Sequence, residues 1–136
     1  FYGMLNWGDW NFRGYHDTTK DCDAWGNQEY DLTQVLALLF AADGRTDVRE
    51  FLTASARHYG EVDRIHHQPD HPEWVGMNHP KNPRHFSFEF GGVDLGHTWL
   101  EGLFTYHFLT GEPRARAAAV GIADYLVRRL GRGIKG

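Results

Sequence analysis

Two stretches of similar pattern decide the fold: residues 30–62, YDLTQVLALLFAADGRTDVREFLTASARHYGEV, and residues 97–129, HTWLEGLFTYHFLTGEPRARAAAVGIADYLVRR. When Gly44 is aligned with Gly111, each stretch reads as an apolar run, a turn containing that glycine, and a second run with apolar residues three and four apart. Pro113 suits the first turn of a helix, where no backbone N–H is needed. The sequence therefore predicts two helical hairpins, over about residues 28–64 and 97–130.

The two helices of each hairpin differ in polarity. The first is apolar nearly all round, which predicts a helix buried on most sides, and the second has one apolar stripe opposite charged residues. Alternating inner and outer helices of this kind predict an all-α fold of tandem αα-hairpins, a partial α/α toroid. Because such a ring needs roughly four to seven hairpins, the 136 residues are expected to be one helical unit and a fragment of a larger toroid, or to associate as copies. A four-helix bundle is the alternative.

Composition excludes several classes of partner. The net charge of -4 argues against nucleic acid, because the basic surface that polyanions require is missing. No apolar run has membrane-spanning length, so no membrane partner is expected. The single cysteine rules out an internal disulfide and leaves the compartment open.

Two long segments, residues 1–29 and 65–96, lack the apolar periodicity of helices. Both lead into the starts of the inner helices, so the sequence predicts a functional site at the end of the fold where the inner helices begin. The first segment mixes flat rings with hydrogen-bonding side chains, as a sugar site requires. The residues expected to bind substrate are Trp7, Asp9, Trp10, Arg13, Trp25, Asn27, Glu29, Arg84, Trp99 and Glu101. The alternative is structural: Asn27 and Asp31 are helix caps and the tryptophans belong to a core.

The second segment is rich in histidine. His67, Asp70 and His71 offer ligand types that zinc accepts. However, Pro69 and Pro72 prevent a helix that would place both imidazoles on one face. We therefore expect solvated loop histidines, no metal site and no cofactor.

His97 has the best position for chemistry. It is expected at the N-terminus of an inner helix, where the helix dipole favours neutral imidazole, with Glu101 four residues later on the same face. Both polar side chains interrupt an otherwise apolar helix, which favours function, although each is also an ordinary capping residue.

Three motifs carry a family resemblance: WGNQEYD (residues 25–31), Val62 and Asp63 with His66, and GHTWLEGLFTYHFLTGEP (residues 96–113). Over residues 7–130 the chain resembles the C-terminal α/α toroid of exo-acting rhamnogalacturonan lyases and their uncharacterised relatives. The resemblance implies a polysaccharide or oligosaccharide partner, cleavage of an acidic pectic glycan by β-elimination, and an extracellular or periplasmic full-length parent. Chemistry and position offer Arg13, Asn27 or Arg84 to neutralise the uronate carboxylate, His85 or His97 as base, and Tyr30 or His16 as acid.

Two other functions stay open. A glycoside hydrolase of the same fold would use paired carboxylates, Asp9 or Asp17 with Glu29 or Glu101. A non-catalytic carbohydrate-binding or assembly module would only hold its ligand. As further partners, the sequence leaves open a homo-oligomer or contacts with missing domains.

Overall fold

The computed structural model describes residues 10–13, 23–26, 30–78 and 98–133, and it describes side chains for residues 30–78 and 98–131. Within these residues the chain is mostly helical, which confirms the predicted predominance of α-structure. One exception lies in the segment predicted to be irregular: strands β1 (Trp10–Arg13) and β2 (Asp23–Gly26) pair antiparallel, Trp10 opposite Gly26 and Arg13 opposite Asp23. None of the described helices is both long and apolar enough to cross a membrane.

The first pair of helices is α1 (Leu32–Asp43) and α2 (Thr46–Arg57), joined by a short turn at Gly44. Gly44 has φ 64, a left-handed conformation that glycine adopts at little cost, and its N–H bonds to the carbonyl of Phe40 at 2.8 Å. Helix α2 runs directly into a π-helical turn, His58–Val62. This wider turn leads the chain out toward Asp63 and Arg64.

The second pair of helices is α3 (Glu101–Thr110) and α4 (Pro113–Gly133), joined at Gly111 with φ 75. Pro113 is the first residue of α4, as its missing N–H predicts. His107 Nδ1 lies 2.9 Å from the carbonyl oxygen of Glu112, so this imidazole fastens the turn between the helices. That contact gives His107 a structural role.

The main core lies where the four helices meet. Helix α1 packs against α2 and α3, and α3 packs against α4. Leu52 of α2, Leu103 of α3 and Ile122 of α4 are fully buried there. A buried hydroxyl pair, Thr33 with Ser55 at 2.9 Å, joins α1 to α2 within this core.

Residues 64–78 form a loop that folds back onto α4. Ile65 and Met77 pack with Tyr125 of α4, and the Ile65 N–H donates to the Met77 carbonyl at 2.9 Å. Gly76 has φ 93 and lies against the backbone of Gly121, a close approach that no side chain would permit. The loop is therefore held by the backbone hydrogen bond between Ile65 and Met77 and by its packing on α4.

The expectation that the first helix of each pair is buried on most sides is wrong for these residues. On α1, Val35 is 53% exposed and Leu38 is 56% exposed, and on α3 Phe108 is 80% exposed. Each helix packs on its neighbours over only part of its circumference, so its remaining apolar residues face outward. The stripe predicted for the second helix, Val48, Phe51, Leu52, Tyr59 and Val62, is confirmed only in part. Val48, Leu52 and Tyr59 are buried, whereas Phe51 is 37% exposed and Val62 is 47% exposed.

Candidate functional site

The N-terminal ends of α1 and α3 meet at one carboxylate, that of Asp31. Its Oδ1 accepts from the N–H of Gln34 at 2.9 Å, which caps α1. Its Oδ2 accepts from the N–H of Gly102 at 3.0 Å, in the first turn of α3. One negative group therefore lies against the positive dipole ends of two helices.

Gly102 allows this approach because it has no side chain. A Cβ at this position would meet Oδ1 of Asp31, the backbone nitrogen of Gln34 and Cβ of Thr33. One turn later the Thr105 hydroxyl donates to Oε1 of Gln34 at 2.7 Å. The starts of α1 and α3 are thus fixed side by side, at the end where the sequence predicts a site.

The surroundings of Asp31 change its acidity. Burial raises the pKa of this carboxyl above its ordinary value of 3.8, while the N–H groups of Gln34 and Gly102 hold it down. The charge of Glu101 adds a smaller increase, and the charge of Arg64 opposes it. Burial is the largest of these effects, so the proton binds more tightly than to a free aspartate.

Arg64 supplies the cation at this end. It is 3% exposed, its guanidinium carbon lies 4.0 Å from the centre of the Tyr59 ring, and Nη2 donates to the Trp99 carbonyl at 3.3 Å. Within the described part of the chain, Nε and Nη1 have no hydrogen-bond acceptor. Burial lowers the pKa of Arg64 to about 9, against the attraction of Asp31, so the group stays charged at neutral pH.

Tyr59 fixes the segment that precedes α3. Its hydroxyl accepts from the Trp99 N–H at 2.6 Å and donates to the Trp99 carbonyl at 3.0 Å. The carbonyl therefore serves both Tyr59 and Arg64, which its two lone pairs allow. The π-helical turn that follows α2 contains Tyr59 and ends just before Asp63, so it presents this hydroxyl and Arg64 to the same backbone group.

A second buried pair stabilises the turn that leads to Arg64. His58 Nε2 lies 3.2 Å from Oδ1 of Asp63, and the Asp63 N–H donates to the His58 carbonyl at 3.2 Å. Both side chains are buried. The contact holds the chain direction from the π-helical turn to Arg64, so it is a structural support for the guanidinium.

Three residues predicted for the site have described side chains, and all three lie at this end. Tyr30 precedes the cap Asp31 and is 71% exposed, with its carbonyl accepting from the Leu32 N–H. Trp99 is half-buried, and the exposed Glu101 accepts from the Leu100 N–H at 3.1 Å through Oε2. The structure brings the backbone of Trp99 to Arg64, a partner that the sequence did not predict.

The prediction that the second inner helix begins at about residue 97 is wrong. Helix α3 begins at Glu101, and residues 98–100 are not helical, with Leu100 at φ -140. A spacing of four residues brings side chains onto one face only when the residues between them are helical. Glu101 is the first residue of α3, and its carboxylate accepts from the Leu100 N–H. His97 itself lies outside the described residues.

The other predicted site residues lie outside the described residues or in strands of which only the backbone is described. Those that lie outside the described residues are His16, His85, His97, Trp7, Asp9, Asn27, Glu29 and Arg84. Trp10, Arg13 and Trp25 lie in β1 and β2, where the backbone alone is described. Their roles stay predictions.

Sequence reasoning missed Arg64 and the second role of Asp31. The motif at residues 62–66 consists of Val62, Asp63 and His66, and it assigns no role to Arg64, which lies between Asp63 and His66. Only its position directly after an amphipathic helix offered a signal. The sequence offers Asp31 as a cap for its own helix, whereas its bond to α3 depends on a contact between distant residues.

Among the described residues, no group of three or more histidine, cysteine, aspartate or glutamate side chains is arranged to hold a metal ion. His71 instead stacks on Trp74, with ring centres 4.0 Å apart, and its Nδ1 lies 3.2 Å from Oε1 of Glu73. His71, one of the two histidines considered as metal ligands, thus contacts Trp74 and Glu73.

Comparison of the chain with protein-family models, curated proteins and solved structures finds no match in any of the three. The resemblance to the rhamnogalacturonan lyase toroid therefore stays a prediction. The described residues define a mostly helical protein, in which Arg64 is a buried cation and Asp31 caps the starts of both α1 and α3.

Proposed function

We propose that the chain is part of a polysaccharide lyase that binds an acidic pectic glycan of the rhamnogalacturonan type and cleaves it by β-elimination. In this proposal the two helix pairs are tandem hairpins of a partial α/α toroid. The observation that supports the function best is Arg64, a buried cation with two nitrogens that no described acceptor reaches, beside the start of α3.

β-Elimination next to a uronate depends on such a cation. Removal of the proton at C5 places negative charge on the sugar carboxylate, so a group that neutralises this carboxylate lowers the barrier. Buried N–H donors without acceptors are costly, and a carboxylate oxygen satisfies them with a charge-assisted bond. Arg64 thus fits the role for which the sequence offered Arg13, Asn27 or Arg84.

The other roles are assigned from position. Tyr30 is exposed beside Asp31, so its hydroxyl is free to reach a leaving oxygen as the acid. His97 or His85 remains the proposed base. The indole of Trp99 is half-buried at the same end and offers a flat face for a sugar ring. Asp31 is not proposed as an acid, because both of its oxygens accept backbone hydrogen bonds.

A glycoside hydrolase is the second candidate. The observation that favours it is the exposed carboxylate of Glu101, which lies close enough to Asp31 to raise its pKa. Glu101 would then be one of two catalytic carboxylates, with Asp9 or Asp17 as the other. A non-catalytic carbohydrate-binding module is the third candidate, and it needs no reacting group.

One assay separates the three candidates. The chain is incubated with rhamnogalacturonan, and both reducing ends and the ultraviolet absorbance of an unsaturated uronate are followed. A lyase produces both together, a hydrolase produces reducing ends alone, and a binding module produces neither. Reducing ends without the absorbance would overturn the lyase proposal, and so would binding without any product.

Arg64 is tested by substitution in the same assay. We expect Arg64→Met to lower kcat/KM by about two to three orders of magnitude, as loss of a transition-state donor does. Arg64→Lys keeps the charge but loses the planar set of donors, so it should restore only part of the rate. Arg49→Met, at an exposed position of α2, is the matched control. Circular dichroism of each variant verifies the fold.

A further inference from the structure

When the two helix pairs are aligned, the apolar residues that α1 and α3 expose match residues through which these two helices contact each other. The alignment of Gly44 with Gly111 pairs Val35 with Gly102 and Leu38 with Thr105. Gly102 and Thr105 are the residues of α3 that lie against α1. The exposed side of α1 is therefore equivalent to the side of α3 that already packs on a helix.

The reverse equivalence holds for α3. Gln34 of α1 accepts the hydrogen bond from Thr105, so it marks the side of α1 that faces α3. Its counterpart is Glu101, and Phe104 and Phe108 follow on the same side of α3 at helical spacing. Phe104 and Phe108 stack with ring centres 6.4 Å apart, and Phe108 is 80% exposed. The exposed side of α3 is thus equivalent to the side of α1 that already packs on α3.

From these two equivalences we infer that a second copy of this chain docks head to tail, with its α1 face (Val35, Leu38, Leu39) on the α3 face (Glu101, Phe104, Phe108) of the first. This docking would repeat the α1–α3 contact between copies. The exposed face of α1 corresponds to the side of α3 that packs on α1, and the exposed face of α3 corresponds to the side of α1 that packs on α3. The docked contact is heterologous, so it closes into a ring or extends as an array.

The chemistry of the two faces fits this occupant. Apart from Glu101, both faces are apolar. Val35, Leu38, Leu39 and Phe108 are exposed, and large exposed apolar side chains in one patch mark an association site. Phe104 is partly buried against the core beside Phe108. In the interior contact, small and polar residues bring the helices close, with a hydroxyl donating to an amide. In the docked contact, Phe104 and Phe108 would pack on leucine and valine, so the helices would lie further apart. The inference is independent of the proposed activity.

Two variants that each block one face test the arrangement. Leu38→Glu disrupts the α1 face and Phe108→Glu disrupts the α3 face, and both positions are exposed, so folding should be preserved. We expect the wild-type chain to sediment above the monomer mass of 15.6 kDa, and each variant alone to sediment as a monomer. An equimolar mixture of the two variants should form a dimer and nothing larger, because each supplies the face that the other lacks.

Val127→Glu is the matched control, since Val127 is 71% exposed on α4 and belongs to neither face. It should associate as the wild-type chain does. A wild-type chain that is monomeric at all concentrations would overturn the inference. A variant that still dimerises alone would also overturn it, because the contact would then be between like faces. If Leu38→Glu loses helix content by circular dichroism, Val35→Glu replaces it in the same mixture.

Discussion

Oδ2 of Asp31 accepts a hydrogen bond from the backbone N–H of Gly102, 71 residues further along the chain, at 3.0 Å. Since Oδ1 of the same carboxylate caps α1, the starts of two helices from different helix pairs share one acceptor. The contact sets the spacing of α1 and α3, and Arg64 and Trp99 lie at the same end. The geometry of the candidate site therefore depends on this one side chain.

Removal of the shared cap should destabilise the chain. Asp31→Ala leaves the N–H groups of Gln34 and Gly102 without their acceptor, and we expect a loss of about 2–3 kcal/mol in the free energy of unfolding. Urea denaturation at neutral pH measures it. Asp47→Ala is the control, because Asp47 is exposed and pairs with an exposed arginine, Arg45. Equal losses in the two variants would show that Asp31 is an ordinary surface aspartate.

The raised pKa of Asp31 makes stability depend on pH. The folded chain binds this proton more tightly than the unfolded chain does, so the added stability from proton binding, which is separate from the cap hydrogen bonds, is fully present below the ordinary pKa of 3.8. It is lost as the pH rises through the raised value. Asp31→Asn cannot titrate, so the free energy of unfolding of the wild type minus that of the variant should fall over this window. A difference that rises with pH would contradict the assignment.

Gly102 should not tolerate a side chain. In Gly102→Ala the new Cβ would meet Asp31, Gln34 and Thr33, so α3 must move away from α1. We expect a loss of about 1–3 kcal/mol, although alanine favours helix. The matched control is Gly121→Ala in α4, where a Cβ meets no atom within 4 Å and a gain of about 0.5–1 kcal/mol is expected. Thermal denaturation compares the pair, and a stabilised Gly102→Ala would refute the close approach.

Loss of the Tyr59 hydroxyl should loosen the segment before α3. Tyr59→Phe removes the partner of the Trp99 N–H, at a cost of about 1–3 kcal/mol. Hydrogen exchange of a peptide covering residues 98–100 should become faster. Tyr125→Phe is the control, because that ring packs on Ile65 and Met77 and takes no part in this contact. Unchanged exchange in Tyr59→Phe would mean that the hydroxyl does not hold the segment.

The parts that were predictable from sequence are those fixed by local pattern. Apolar spacing predicts the helices, Gly44 and Gly111 predict the turns, and the cap role of Asp31 follows from its place before Leu32. The sequence predicts the start of α3 too early, because the apolar pattern of the helix extends back to Trp99, whose backbone is held by Tyr59 instead of by helical hydrogen bonds.

The centre of the candidate site was not predictable, because it depends on contacts between distant residues. Nothing local shows that Arg64 is buried or that its guanidinium reaches the carbonyl of Trp99, 35 residues away. The exposed apolar faces of α1 and α3 have the same origin. An apolar pattern predicts that a surface will be covered, and it does not say what covers it.

Isothermal titration with two forms of one pectic oligosaccharide tests the role of Arg64 without relying on turnover. One form carries its uronate carboxylates, and in the other they are reduced to alcohols. The wild-type chain and the control Arg49→Met should bind the acidic form about 10- to 100-fold more tightly, as a charge-assisted hydrogen bond of about 1.5–3 kcal/mol requires. Arg64→Met should bind both forms alike. Equal affinities in the wild-type chain, or a preference that survives in Arg64→Met, would contradict a carboxylate site at Arg64.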